Sequence, residues 1–186
     1  VVAKITRYPI NGKNAEGKVI EILGNVDAAG VDMLSFIKEY KLPYEFPKGV
    51  LNEARNINQL VDKKDIPNRV DLRDKTIFTI DGEDAKDLDD AISVRKTEEE
   101  TFLLDVHIAD VSYYVQEDSP LDKEAVIRGT SVYMFDRVIP MLPVELSNGI
   151  CSLNAGEDRF ALSCSMEIDN KGNVISGDVY KSVIKV

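Results

Sequence analysis

Apolar and polar positions change their period several times along the chain. Residues 2–8, VAKITRY, and 17–23, GKVIEIL, alternate as short strands do, with the polar turn PINGKNAE between them. DAAGVDMLSFIKEY then switches to helical spacing, with Met33, Leu34, Ile37 and Tyr40 on one stripe. Pro43 and Pro47 break the chain before KGVLNEARNINQLV, a second helical segment with Leu51, Ala54, Ile57 and Val61 in line. The polar, turn-rich DKKDIPNRVDLRD reads as a boundary, dividing the chain into units 1–65 and 66–186.

Beyond the boundary the strand period returns. KTIFTI (75–80), AISVRK (91–96) and TFLLDVHIAD (101–110) read as strands. In the last of these the alternation assigns Phe102, Leu104, Val106 and Ile108 to the buried face, and Asp105, His107 and Asp110 to the other. SPLDKEAVIRGT carries helix-start signals, with Ser119 as N-cap and Pro120 at the first helical position. DRFALSCSMEID, the turn NKGN and VISGDVYKSVIKV predict a β-hairpin. The expected fold class is α+β, rich in strands.

Composition narrows the functional classes. The chain has 186 residues, 44% hydrophobic and 30% charged, which is ordinary globular material. No apolar run approaches the ~20 residues that span a bilayer, so no membrane partner is expected. Strand patterns at both ends, and the lack of an initiator Met, lead us to expect a piece of a longer protein. Cys151 and Cys164 are expected to be reduced, buried thiols in a cytoplasmic setting. One histidine and two distant cysteines draw no zinc template. The net charge of −10 argues against indiscriminate nucleic-acid binding. It is also uneven: residues 1–75 hold 13 Lys+Arg against 11 Asp+Glu, and residues 76–186 hold 10 against 22. An acidic half can still act on a polyanion if divalent cations occupy its carboxylates.

Those carboxylates concentrate between two strand-like segments. Six of the ten residues from Asp81 to Asp90 are acidic, in the spacing Asp81, Asp87, Asp89, Asp90. A solvated loop is the plain alternative. Two features oppose it: Ile80 and Ala91-Ile92 tie both ends to apolar segments, and Leu88, pointing inward, would draw Asp87 and Asp89 together. Crowded carboxylates raise one another's pKa, and a multivalent cation removes that penalty. An all-oxygen donor set selects a hard ion such as Mg²⁺, with Mn²⁺ as an alternative. An EF-hand is excluded: counted from Asp81, Lys86 and Ile92 fall where Gly and Glu are required, and counted from Asp84, Asp89 and Arg95 do. Metal-assisted phosphoryl chemistry is the natural reading.

RVDLRDKTIFTIDGEDAKDLDDAISV, VHIADVSYYV, RGTSVYMFDRVIPMLPVELSNGICSLN and DRFALSCSMEID occur in that order. Together they strongly resemble the ribonuclease II family of processive 3′-to-5′ exoribonucleases, from about Arg69 to the last residue. Residues 1–47 resemble the latter half of a cold-shock domain, an OB-type barrel and a common binder of single-stranded RNA. The resemblance implies a partial OB-type barrel followed by the N-terminal half of a mixed α/β RNB catalytic domain. It implies active-site roles for Asp81, Asp87, Asp89 and Asp90. Asp81 and Asp90 would help hold Mg²⁺, Asp87 would support the metal cluster, and Asp89 would be essential for cleavage. Tyr133 would stack on the 3′-terminal base of single-stranded RNA. Met134-Phe135-Asp136 departs from relatives that carry an aromatic followed by Pro. An Arg and a Glu that the family uses lie beyond Val186. No protein partner is deducible. The rival is a non-catalytic RNA-binding module with a nuclease-like domain. His107 reads as a packed strand residue, and Asp110 as a candidate support near the metals.

Overall fold

The computed structural model describes residues 1–186, which divide into two compact units. The first holds Val1–Glu45 and Tyr133–Ile139. Its strands β1 (Val2–Arg7) and β2 (Glu16–Glu21) pair antiparallel, and α1 (Val31–Glu39) turns Ile37 inward. Between the strands the chain reverses at Asn11-Gly12, with φ of 51° and 76° and a bridge from Ile10 to Lys13. Two consecutive positive φ values are the signature of a type I′ turn, which Asn-Gly adopts at least cost.

The second unit holds Phe46–Val132 and Pro140–Val186. The helix expected after Pro47 forms as α2 (Lys48–Asn56) and buries Val50 and Ala54. This segment, expected with the first unit, packs here in the second. Val50 and Ala54 cluster with Leu121, Leu146, Ile150 and Cys151.

A five-stranded sheet forms the body of this unit. Its strands are β3 (Val70–Asp71), β4 (Asp90–Lys96), β5 (Phe102–Ala109), β8 (Asp158–Ile168) and β9 (Val174–Lys185), in the order β3-β9-β8-β5-β4. All neighbours are antiparallel except β3 and β9. The short strands β6 (Val132–Tyr133) and β7 (Val138–Ile139) make a separate hairpin. Two helices follow β5: α3 (Val111–Tyr114) and α4 (Pro120–Arg128). As predicted, α4 has Pro120 at its start and Ser119 as its cap, accepting from the Asp122 N–H at 3.2 Å. The strand-rich α+β class and the β8–β9 hairpin are those expected.

Two expectations change. Residues 75–80 form no continuous strand: they touch the sheet through one bridge, Phe78 to Ile92, while Ile80 is exposed. The faces of β5 are also exchanged. Asp105, His107 and Ala109 are buried, whereas Phe102 and Ile108 are exposed. The register supplies the reason. Asp105 lies between Ser93 and Ser165, and His107 between Ala91 and Ser163. Small and hydroxyl-bearing neighbours leave room for both side chains and give hydrogen bonds to the Asp105 carboxylate and to His107 Nδ1, so the buried charge is paired. The same face continues into the apolar cluster of Leu72, Ile77, Ala91, Ala109, Leu153, Ala161 and Ile184.

Candidate active site

The acidic loop leaves and rejoins the sheet at one point. Phe78 and Ile92 exchange both backbone hydrogen bonds, N to O at 3.0 and 2.9 Å. Residues 79–89 therefore form a loop closed at its base and hung over the start of β4. Asp90 opens that strand, opposite Ile108 at the end of β5.

The loop has little regular structure, yet its backbone is held. The Ala109 N–H donates to the Asp89 carbonyl at 3.0 Å, and the Leu153 N–H to the Leu88 carbonyl at 2.9 Å. The Leu88 N–H donates to Ser152 Oγ at 3.1 Å. The Leu88 side chain packs against the apolar cluster, pointing inward as expected. Asp87 and Asp89 are thus fixed on either side of an anchored residue.

The electrostatics follow from this crowding. Partial burial, then the charges of Asp87, Asp90 and Asp81 in that order, push the Asp89 carboxyl above the usual carboxylate range. All three of the other aspartates named from the sequence therefore act on Asp89. No three acidic, histidine or cysteine side chains converge closely enough to hold a metal ion. Donor chemistry and mutual repulsion suit a hard divalent cation, whereas the side chains as they stand form no ready cage. A cation there would have to draw the carboxylates together.

Asp110, read as a support for the metals, is engaged elsewhere. Its carboxylate pairs with Arg69 at 2.6 Å and accepts from Ser112 Oγ at 3.0 Å. Asp105 accepts from Lys75 and Ser93, each at 2.7 Å, and from Ser165. His107 Nδ1 lies 2.7 Å from Ser163 Oγ, while Nε2 is buried without a partner, and burial lowers its pKa. A bare Nε2 and a lowered pKa describe a neutral ring kept for packing. Tyr133 belongs to the first unit and is 66% exposed, so it is not a core aromatic there. The sequence reading missed Ser152, Arg69 and Arg159. A serine inside the apolar run GICSL was the one available hint that a buried hydroxyl had work to do.

Comparison with known proteins agrees with this layout. The RNB domain matches residues 69–186, and a cold shock domain matches residues 1–47. Ribonuclease R from Thermotoga maritima is 58% identical over 187 residues, covering 100% of the chain and 26% of that protein. The chain thus spans about a quarter of the length of such curated relatives. Among solved structures, Mycoplasma genitalium RNase R in complex with ribose-methylated single-stranded RNA superposes with a TM-score of 0.90 at 31% identity. That match covers 98% of this chain and 28% of that one. Yeast Ssd1, described as a pseudonuclease, has a TM-score of 0.74 at 22% identity over 98% of this chain and 23% of its own. At that identity the likeness concerns the fold alone. The resemblance read from the sequence motifs is borne out.

Proposed function

The chain belongs to the RNB-domain family, and from that premise we propose that the protein is a processive 3′-to-5′ exoribonuclease releasing nucleoside 5′-monophosphates. The observation that carries this reading is Asp89 on an anchored loop, its carboxyl raised first by partial burial and then by the charges of Asp87, Asp90 and Asp81. Such a cluster is unfavourable in isolation and is sensible where a cation and a phosphodiester are to be received.

Asp81, Asp87 and Asp90 are the proposed holders of Mg²⁺, or of Mn²⁺ in its place. When bound, the cation supplies charge neutralisation and a more acidic water. The chain's own residues do the rest. Leu88 and the backbone bonds at Leu88 and Asp89 keep the carboxylates in register over the start of β4. Asp89 is the proposed catalytic residue, acting at the scissile phosphate. Tyr133 is proposed to stack on the 3′-terminal base, which gives end recognition without sequence preference. The partner is the 3′ end of single-stranded RNA, with the cold-shock-like first unit as a further RNA contact. The cytoplasm is the proposed setting. Cys151 and Cys164 are unpaired thiols, and no helix is long and apolar enough to cross a membrane.

A non-catalytic RNA-binding module is the second reading, favoured by the unconverged carboxylates. The two separate in one assay on the complete protein. Single-stranded RNA labelled at its 5′ end, incubated with Mg²⁺, should shorten from the 3′ end to a small limit product and yield mononucleotides. Binding with no shortening would favour the module.

A further inference from the structure

Ser152 is fully buried, and its main chain is fixed without help from its side chain. Its N–H donates to the Gly149 carbonyl at 3.0 Å. Its carbonyl accepts from Nε of Arg159 at 2.7 Å, and the same buried guanidinium reaches the Gly149 carbonyl at 3.3 Å. Arg159 thus pins the turn from Gly149 to Ser152 to the start of β8.

The hydroxyl is therefore free to act elsewhere. It donates to the Lys86 carbonyl at 2.8 Å and accepts from the Leu88 N–H at 3.1 Å. Asn154 Oδ1 lies farther away, at 3.2 Å. Lys86 C=O belongs to the peptide before Asp87, and Leu88 N–H to the peptide after it. One hydroxyl therefore ties together both peptides that flank Asp87. The next residue repeats the grip, with Leu153 N–H on the Leu88 carbonyl.

We propose that Ser152 is a positioning residue for the proposed exoribonuclease site, holding Asp87, and through Leu88 also Asp89, against the repulsion of the acidic loop. The inference rests on the function proposed above. Its physical basis is general: four carboxylates in one loop push apart, and ligand groups loose by ~1 Å lose their purpose unless a supporting shell fixes them. A serine suits the task because it donates and accepts at once in little space. Without the hydroxyl, the part-buried Leu88 N–H and Lys86 carbonyl both lose this partner. The loop would escape that cost by opening to water and carrying Asp87 and Asp89 with it.

The test is Ser152→Ala in the complete protein, read by single-turnover cleavage at saturating RNA, by RNA affinity, and by hydrogen exchange at the Leu88 amide. Ile184→Val, a small truncation in the apolar cluster against which Leu88 packs, controls for lost stability. Ser152→Ala should slow cleavage at least ~10-fold, speed Leu88 exchange at least ~10-fold, and leave the RNA dissociation constant within about two-fold. Ile184→Val should stay within about two-fold of wild type in all three. If Ser152→Ala does not fold, the pair Ser152→Thr and Ser152→Val, equal in shape and differing in the hydroxyl, makes the same comparison. Cleavage unchanged in Ser152→Ala, slowed no more than in the control, or lost in parallel with RNA affinity would overturn the proposal. A wild-type protein that does not cleave RNA would retire the function reading. Leu88 exchange then decides the clamp, which is overturned if that amide is unprotected in wild type.

Discussion

Arg69 Nη2 donates to Asp110 Oδ2 across 2.6 Å, with the two side chains only 4% and 5% exposed. The guanidinium also lies 4.0 Å from the centre of the Phe160 ring and donates to the Ser182 carbonyl at 3.3 Å. Asp110 in turn stands at the entry to α3 and donates its N–H to the Phe160 carbonyl at 3.0 Å. The pair thus joins the segment before β3 to the end of β5. Removing one partner leaves a buried charge with no counter-ion. Arg69→Ala should therefore destabilise the fold by about 3–5 kcal/mol. Replacing both residues by apolar ones, Arg69→Met with Asp110→Leu, should recover most of that loss. Urea denaturation of wild type and the two variants checks the claim. A cost below about 1 kcal/mol for Arg69→Ala would mean that water replaces the guanidinium.

Asp105 predicts an acid dependence. Burial alone would raise its carboxyl, but hydrogen bonds from Lys75, Ser165 and Ser93 together outweigh that and hold it at about 2, against an ordinary 3.8. A carboxyl lowered in the folded state adds stability that is complete above its unfolded value and is lost as the pH falls through its folded value. Asp105→Asn should therefore be less stable than wild type by roughly 1–3 kcal/mol at neutral pH. The gap should narrow between pH ~4 and ~2. Thermal melts of both proteins across that window test it. A constant gap would assign the loss to packing instead of charge.

Tyr133 carries the prediction for end recognition. Stacking on a base is worth roughly 1–3 kcal/mol. In the complete protein, Tyr133→Ala should loosen the hold on the last few nucleotides and leave a longer limit product from single-stranded RNA. Gel analysis of end products reads this directly. An identical product ladder would remove Tyr133 from the RNA path.

The legible parts of the molecule were those with local causes. Ser119-Pro120 announced α4 because cap chemistry is written in adjacent residues. The NKGN turn announced the hairpin, and Leu88 announced its own packing against the apolar cluster. The exchanged faces of β5 were not legible. Alternation shows that two faces differ, but which is buried depends on what crosses it, here Ser93, Ser163 and Ser165 from neighbouring strands. The site divides in the same way. Four aspartates stand out by their spacing, and their mutual repulsion follows from it. Their anchors do not. Ser152 acts from 64 residues beyond Leu88, and Arg69 meets Asp110 across 41 residues. Single serines and arginines carry no spacing signal.

The central claim is that Asp89, set among Asp81, Asp87 and Asp90, drives cleavage and does not merely hold the fold. Asp89→Asn keeps the shape of the side chain and removes one charge from a crowded cluster. The decisive measurement is a pair taken on the complete protein at fixed salt and Mg²⁺: the single-turnover cleavage rate and the RNA dissociation constant, since phosphate contacts make affinity salt-dependent. The account predicts a rate loss on the order of 10²-fold or more. It also predicts RNA affinity that is unchanged or tighter, because one source of repulsion toward phosphate is gone. A variant that cleaves at near wild-type rate, or that loses cleavage and binding in parallel, would contradict it.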